Sequence, residues 1–436
     1  MPRDPDLSHL VLRDAYLHHH PNTCYGLGDW RRYQAGHWPV IDGHVIKREI
    51  QAVAEAETSK GLAVNFTSGL VNSVHDLLTS RTFVPSDQFD ANTDLIVLAD
   101  CALELSTQQV VSHSPAHYAT TKVPYRYDPE ARSEAWEKVL ALLPDCHDFL
   151  QEFAALSTTT RTDLETAVWF YGPPGCGKST FISGLEAMLG DRCGTLSLED
   201  IESSNFGLAS LPGKTLVTAT EQPASCLGSV HTLNKIISGE PTTIQRKYRD
   251  AYTLRPYAKV LWAANELPRV TSKGVGLFRR VKVVKFPALA IEDRNPRIKE
   301  EVLASGMAVL NWTLAGYPRL IKRGRLLIPA SVEEATEQYR QENDAIQMFV
   351  DERCVSDPNG RVKGSEIYSS YNRWCGSNGY NPENSTNFGR HLGMLGYEPI
   401  RSNGVYRLGL RLKVQDEDET NEILDSYCGT VGTPKE

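Results

Sequence analysis

The run Gly172-Pro173-Pro174-Gly175-Cys176-Gly177-Lys178-Ser179-Thr180 constrains this chain more than any other stretch. It fits G-x-x-x-x-G-K-[ST], and the apolar segment from Ala167 to Tyr171 precedes it. The sequence therefore predicts a buried strand, a glycine-rich turn and a helix beginning near Lys178. Glycines there let backbone N–H groups converge on phosphates, and the helix turns its positive end toward them. Lys178 is expected to contact the β- and γ-phosphates and Ser179 to hold Mg²⁺. A nucleoside triphosphate site follows.

At 436 residues the chain has length for about two to four domains. No apolar run is long enough to span a membrane, and the N-terminus, MPRDPDLSHL, is too polar for a signal peptide. The nine cysteines are scattered without a C-x-x-C pair, which fits reduced thiols in a cytoplasmic compartment. His18, His19 and His20 have no Cys or second His pair to complete a metal site, and read as an exposed segment. The formal net charge is −8, yet its distribution is uneven. Eleven basic residues fall between Arg246 and Lys285, opposed only by Asp250 and Glu266. A basic cluster in an acidic protein is how a polyanion channel would look.

The pattern predicts an α/β chain in four parts: 1–150, 151–330, 331–413 and an acidic tail, 414–436. In the first, Trp30, Tyr33 and Trp38 surround a Gln-Ala-Gly turn that suggests a hairpin. Val45 to Glu57 and Arg132 to Leu143 read as helices, and Leu95 to Leu98 as a strand. The second part holds the P-loop and three further strand-like runs, Lys214 to Thr220, Ala258 to Ala264 and Val281 to Phe286. A capping box at Ser331 to Glu334 opens a helix expected to run to about Cys354. Beyond it come a helix carrying Ile367, Tyr371 and Trp374 and a second from Thr386 to Leu395. A hairpin turning at Ser402-Asn403-Gly404 completes a winged-helix order.

Four groups beyond the P-loop carry chemistry. Glu221 follows the first strand-like run, at the end where open α/β sheets bind ligands, and is expected to activate water and help hold the metal. Asn265 ends the second run and suits a sensor of the γ-phosphate. Arg279 and Arg280 stand just before the third, where an arginine could reach a neighbouring subunit's nucleotide. Arg246, Lys247, Tyr248 and Arg249 form a basic hairpin suited to phosphate contacts and base stacking. Arg390 on the second C-terminal helix, with Arg401 and Arg407 on the wing strands, supplies further candidates for DNA.

Together these pieces resemble the superfamily-3 helicases, specifically the phage, plasmid and poxvirus primase-helicase branch, from about Trp30 to Lys413. His113-Ser114-Pro115 and Pro124 to Asp128 look like that branch's N-terminal accessory domain. The resemblance implies an AAA+ type core, with Gly172–Thr180 as first motif, Glu221 as second and Gly239–Lys247 as the basic hairpin motif. Asn265 would be the sensor and Arg280 the finger, Arg279 being the next candidate. It implies a Mg-ATP-driven ring, generally a hexamer, that moves along single-stranded DNA at forks or origins. The setting would be a bacterial cytoplasm or a virus-infected cell. The sole early D-x-D is Asp4-Pro5-Asp6, so the expectation is a helicase without primase activity, with any primase or polymerase a separate protein. The alternative is an ATP-switched DNA-binding initiator that separates no strands.

Overall fold

The computed structural model describes residues 8–62, 66–202, 207–220, 226–227, 230–246, 249–270 and 275–413. The chain divides into two compact units: the second begins at Arg340 and also takes in Val270, and the first holds the described residues up to Arg269 and from Val275 to Tyr339.

At the heart of the first unit is a five-stranded sheet in which every pairing is parallel. Across it run Val281–Lys285, Ala167–Tyr171, Lys259–Ala264, Leu216–Ala219 and Cys193–Thr195. Lys259–Ala264 is buried at all six positions and Leu216–Ala219 at all four. Burial on both faces explains why these strands read as continuous apolar runs rather than alternating ones. All the strand-like runs expected around the P-loop are therefore strands: Ala167–Tyr171 is complete, Lys214–Thr220 is trimmed at both ends, and the other two lose one residue at one end.

The helix Lys178–Leu189 packs on one face of this sheet through Phe181, Ile182, Leu185 and Met188. Its Gly184 admits the Trp136 ring, which would lie 2.5 Å from a Cβ at that position. Trp136 belongs to Glu134–Leu140, the core of the helix expected from Arg132 to Leu143. Two more helices, His147–Ser157 and Gly306–Arg323, close the same core. Residues 150 and 151 lie inside the first of these, whose Phe149, Leu150 and Phe153 share a cluster with Phe170, Phe181 and Leu261. The packing has no seam at the expected boundary.

Glu152 on that helix is fully buried. Both its oxygens accept from Arg323 Nη1 at 2.8 Å, and one also accepts from the Leu327 N–H at 3.1 Å. A buried carboxylate needs such partners to be tolerated.

The N-terminal segment packs Trp30, Ile46, Ile50, Leu70, Val74 and Leu78 among the helices Ser8–His19, Gly43–Ser59 and Ser68–Arg81. A three-stranded antiparallel sheet adjoins them, Thr23–Gly26, Asp29–Arg32 and Val40–Ile41. The Gln34–His37 bridge forms the turn expected among the aromatic residues. The helices Ser8–His19 and Ser68–Arg81 were not foreseen, and His18 and His19 form the last turn of the first. A polar node joins this segment to the N-terminal end of the sheet's middle strand. Asp90 accepts from Tyr257 Oη at 2.7 Å and from Thr120 Oγ1 at 2.6 Å. Beside it Lys259 Nζ donates to the Thr159 and Tyr257 carbonyls at 2.6 and 3.0 Å. Burial pushes Tyr257 well above its ordinary pKa and Lys259 well below.

The helix expected from Ser331 to about Cys354 is two helices, Ala330–Glu342 and Ala345–Arg353. Asp344 interrupts it, its carboxylate accepting from the Ile346 and Gln347 N–H groups as an N-cap. In the second unit Cys354–Lys363 is an additional strand, pairing with Val405–Leu412, which pairs in turn with Pro399–Arg401. Helices Gly364–Asn378 and Ser385–Met394 cover it, with Tyr371 stacked on Phe388 at 4.5 Å between ring centres.

Candidate functional site

The P-loop strand ends at Tyr171, and the chain turns through Gly172, Gly175 and Gly177, with φ of 152°, 75° and 97°. Side chains rarely adopt these values, and there is no room for them either. A Cβ on Gly172 would lie 2.7 Å from the Phe286 carbonyl, and one on Gly177 2.8 Å from Leu142. The helix then starts at Lys178, so its first-turn N–H groups open onto the turn. Pro173, Pro174 and Gly175 are exposed, Cys176 is buried, Ser179 is half-buried and Thr180 is buried.

Lys178 is 6% exposed, and its ammonium gathers the site. It donates to the Gly172 carbonyl at 2.6 Å, the Pro173 carbonyl at 2.9 Å and Asn265 Oδ1 at 3.1 Å. Asn265 is brought there by register: Ala264 pairs with Tyr171, so the two strands end side by side. The strand-end amide thus touches the P-loop lysine directly. The residues present fit a phosphate chain: a cradle without Cβ atoms, a helix N-terminus, and a lysine held at its mouth. Ser179, in the first helical turn, is the hydroxyl available to a metal ion. Glu221, Lys247 and Tyr248 lie outside the described residues, as do the side chains of Arg246 and Arg249. The hairpin that carries the last four is formed by Thr242–Arg246 and Arg249–Leu254, after a helix ended by left-handed Gly239.

Arg279 and Arg280 stand at the other end of the sheet. Val281 pairs with Ala167, the first residue of the P-loop strand, and Lys285 with Tyr171, the last. At about 3.3 Å per residue, roughly 20 Å separates Arg280 from the P-loop of its own chain. Both arginines approach Glu165, at 3.0 and 2.8 Å. The Arg280 side chain is only 12% exposed and also donates to the Gly276 carbonyl at 3.0 Å, whereas that of Arg279 is 71% exposed. In this arrangement Arg279 is the one presented to solvent.

In the second unit Arg390 and Arg401 are exposed, as expected. Arg407 is not, and that expectation is corrected. It is 8% exposed, donates to the Tyr397 carbonyl at 3.1 Å and fills the space beside Gly389. Burial lowers its pKa. Simple alternation gives Arg407 and Arg411 the same face, but Gly409, at φ 79°, breaks the period between them. Arg411 consequently faces solvent and pairs with Asp357 at 2.5 Å.

Sequence reasoning missed Leu142, which closes on Gly177, Glu165, which holds both arginines, and Arg294, which lies over Gly175. No local signal marks Arg294, because the sequence does not tell that the loop after Phe286 turns back.

Three family matches follow the chain. Residues 10–149 match the family described as D5 N terminal like, residues 170–280 a family of unknown function (DUF5906), and residues 341–415 the family described as Poxvirus D5 protein-like. The first and third of these families share the D5 name, and neither match covers half of the chain. Among curated relatives is a protein named "Putative primase C962R" of African swine fever virus (isolate Tick/Malawi/Lil 20-1/1983). It is 23% identical over 365 residues, covering 74% of this chain and 37% of the relative. Another is named "Putative helicase L207/L206" of Acanthamoeba polyphaga mimivirus, 22% identical over 347 residues, covering 72% of this chain and 36% of the relative. This chain therefore spans little more than a third of the length of these relatives. Among solved structures, the apo structure of the NrS-1 C terminal region aligns with 94% of this chain and 100% of its own, at 12% identity and a TM-score of 0.49. No helix among the described residues is long and apolar enough to cross a membrane.

Proposed function

We propose that this chain is the motor of an ATP-dependent replicative DNA helicase from a virus, phage or other mobile element. It would have an AAA+ type core of the superfamily-3 kind and a C-terminal winged helix. The observation that carries this reading is the Lys178–Asn265 contact at the C-terminal edge of a parallel sheet, with the arginine pair at the opposite edge. In this reading each end of the sheet carries half of a site, and a neighbouring chain completes it. The names of the relatives, for priming and for unwinding, support a role in replication.

In this reading Lys178 and the P-loop N–H groups hold the ATP phosphates, and Asn265 stands beside the γ-phosphate. Glu221 orients the attacking water. Mg²⁺, held through Ser179 and Glu221, would neutralise charge that develops on the phosphates. Arg279 or Arg280 serves the neighbour's nucleotide. Arg246, Lys247, Tyr248 and Arg249 grip single-stranded DNA in a homo-oligomeric ring, hexameric by resemblance, and Arg390 and Arg401 meet duplex.

The test is strand displacement on a forked duplex, with ATPase measured with and without single-stranded DNA. Displacement that needs ATP, together with DNA-stimulated turnover, is expected. DNA binding controlled by ATP but without displacement would make the protein an initiator switch instead.

A further inference from the structure

The chain that leaves the edge strand Val281–Lys285 does not run away from the P-loop. Phe286 extends the pairing, its N–H donating to the Tyr171 carbonyl at 2.7 Å, and its own carbonyl occupies the space where a Gly172 side chain would lie. A short turn at Ile291–Asp293, closed by the Arg294 N–H on the Ile291 carbonyl at 3.2 Å, then brings the chain back. Arg294 therefore comes to rest on Gly175. A Cβ at Gly175 would lie 2.8 Å from Arg294 Nη1 and 2.9 Å from Cζ. On the far side Asn295 Oδ1 accepts from the Arg297 N–H at 2.9 Å and leads into the helix Ile298–Leu303, whose Val302 is buried in the main core. The backbone on both sides of Arg294 is thus tied down.

The guanidinium itself is not. Among the described residues its contact with protein oxygen is one long bond, Nη2 to the Leu289 carbonyl at 3.3 Å, and no carboxylate pairs with it. A structural arginine is ordinarily held by several strong bonds, as Arg323 is by Glu152. This one stands exposed over the turn that the first helical N–H groups already prepare for an anion.

We infer that Arg294 is a nucleotide-phosphate ligand in cis, a second cation at the P-loop mouth beside Lys178. The inference rests on the nucleotide reading of the site. It differs from the role of Arg279 and Arg280, which lie too far from their own P-loop to serve it. The glycine at 175 is then required twice, by its φ of 75° and because any side chain would displace the guanidinium.

The experiment is equilibrium binding of ATP and ADP to full-length wild type, Arg294→Ala and Arg294→Lys, with Lys178→Ala for comparison and melting curves to verify folding. Arg294→Ala should raise the Kd by about 10- to 100-fold, the size of a single charge-assisted hydrogen bond, with Arg294→Lys in between. Mixing Arg294→Ala with Lys178→Ala should restore no ATPase, because both changes spoil the same chain's half of the site. Unchanged Kd in folded Arg294→Ala would overturn the inference. Tighter binding would do so too, making Arg294 a plug that nucleotide must displace. Recovery of ATPase on mixing would move the contact to a neighbour. Failure of wild type to bind either nucleotide would remove the nucleotide reading itself, a different result from binding that ignores Arg294.

Discussion

At the scale of single residues, the site is a matter of which groups share the ends of adjacent strands. Lys178→Ala removes the ammonium that joins Gly172, Pro173 and Asn265. Turnover of ATP should fall by at least about 100-fold while circular dichroism stays that of the folded chain. Glu221→Gln should separate two steps, keeping ATP affinity within a few-fold while turnover falls about 100-fold or more. Parallel binding and single-turnover measurements check this, and near-normal turnover would send the search for the carboxylate elsewhere. Lys178, Asn265 and the glycines were legible in the sequence because each is tied to a local motif or to the end of an apolar run. Arg294 was not, since nothing local tells that the loop after Phe286 doubles back. Nor was the burial of Arg407, because a single left-handed Gly409 reverses the facing that a period of two assigns.

At the scale of elements, four of the five strands of the parallel sheet were read correctly because burial makes them largely apolar runs, whereas the short, part-buried edge strand Cys193–Thr195 carried no such run and was missed. The missed helices are amphipathic or polar and lack so clear a signature. The break at Asp344 was missed because a capping residue inside a long helical pattern looks like any surface acid. The helix His147–Ser157 is fastened to Gly306–Arg323 by the Glu152–Arg323 bridge. Arg323→Ala would leave the fully buried Glu152 carboxylate without its strongest partner. That should cost about 3–5 kcal/mol, read as a lower midpoint in urea, with Glu152→Gln milder. In the second unit the exposed Arg390 and Arg401 are the residues to neutralise. For every phosphate that is no longer neutralised, the slope of log affinity for duplex against log salt should fall by about 0.9. Arg407→Ala should instead lower the melting temperature and leave that slope alone. An unchanged slope in the Arg390→Ala, Arg401→Ala double variant would mean that this unit serves assembly rather than DNA.

At the scale of the whole molecule, the parallel sheet has two chemically different ends. The cradle and Asn265 occupy one, and Arg279 and Arg280 the other. Chains carrying Lys178→Ala and chains carrying both Arg279→Ala and Arg280→Ala should each be inactive in ATPase assays. Mixtures should recover part of the activity, because some interfaces then pair an intact cradle with intact arginines. No recovery at any ratio, with mixed assembly verified by mass, would count against a role in trans. The polarity of the sheet also governs how rate depends on the amount of protein. In the proposed trans arrangement a solitary chain would hold both halves and no whole, so specific activity should vanish on dilution even when every chain stays folded. In that arrangement an open row of n chains would have n − 1 complete sites. The closing contact supplies the last, and the step from arc to circle becomes a gain in turnover as well as in grip.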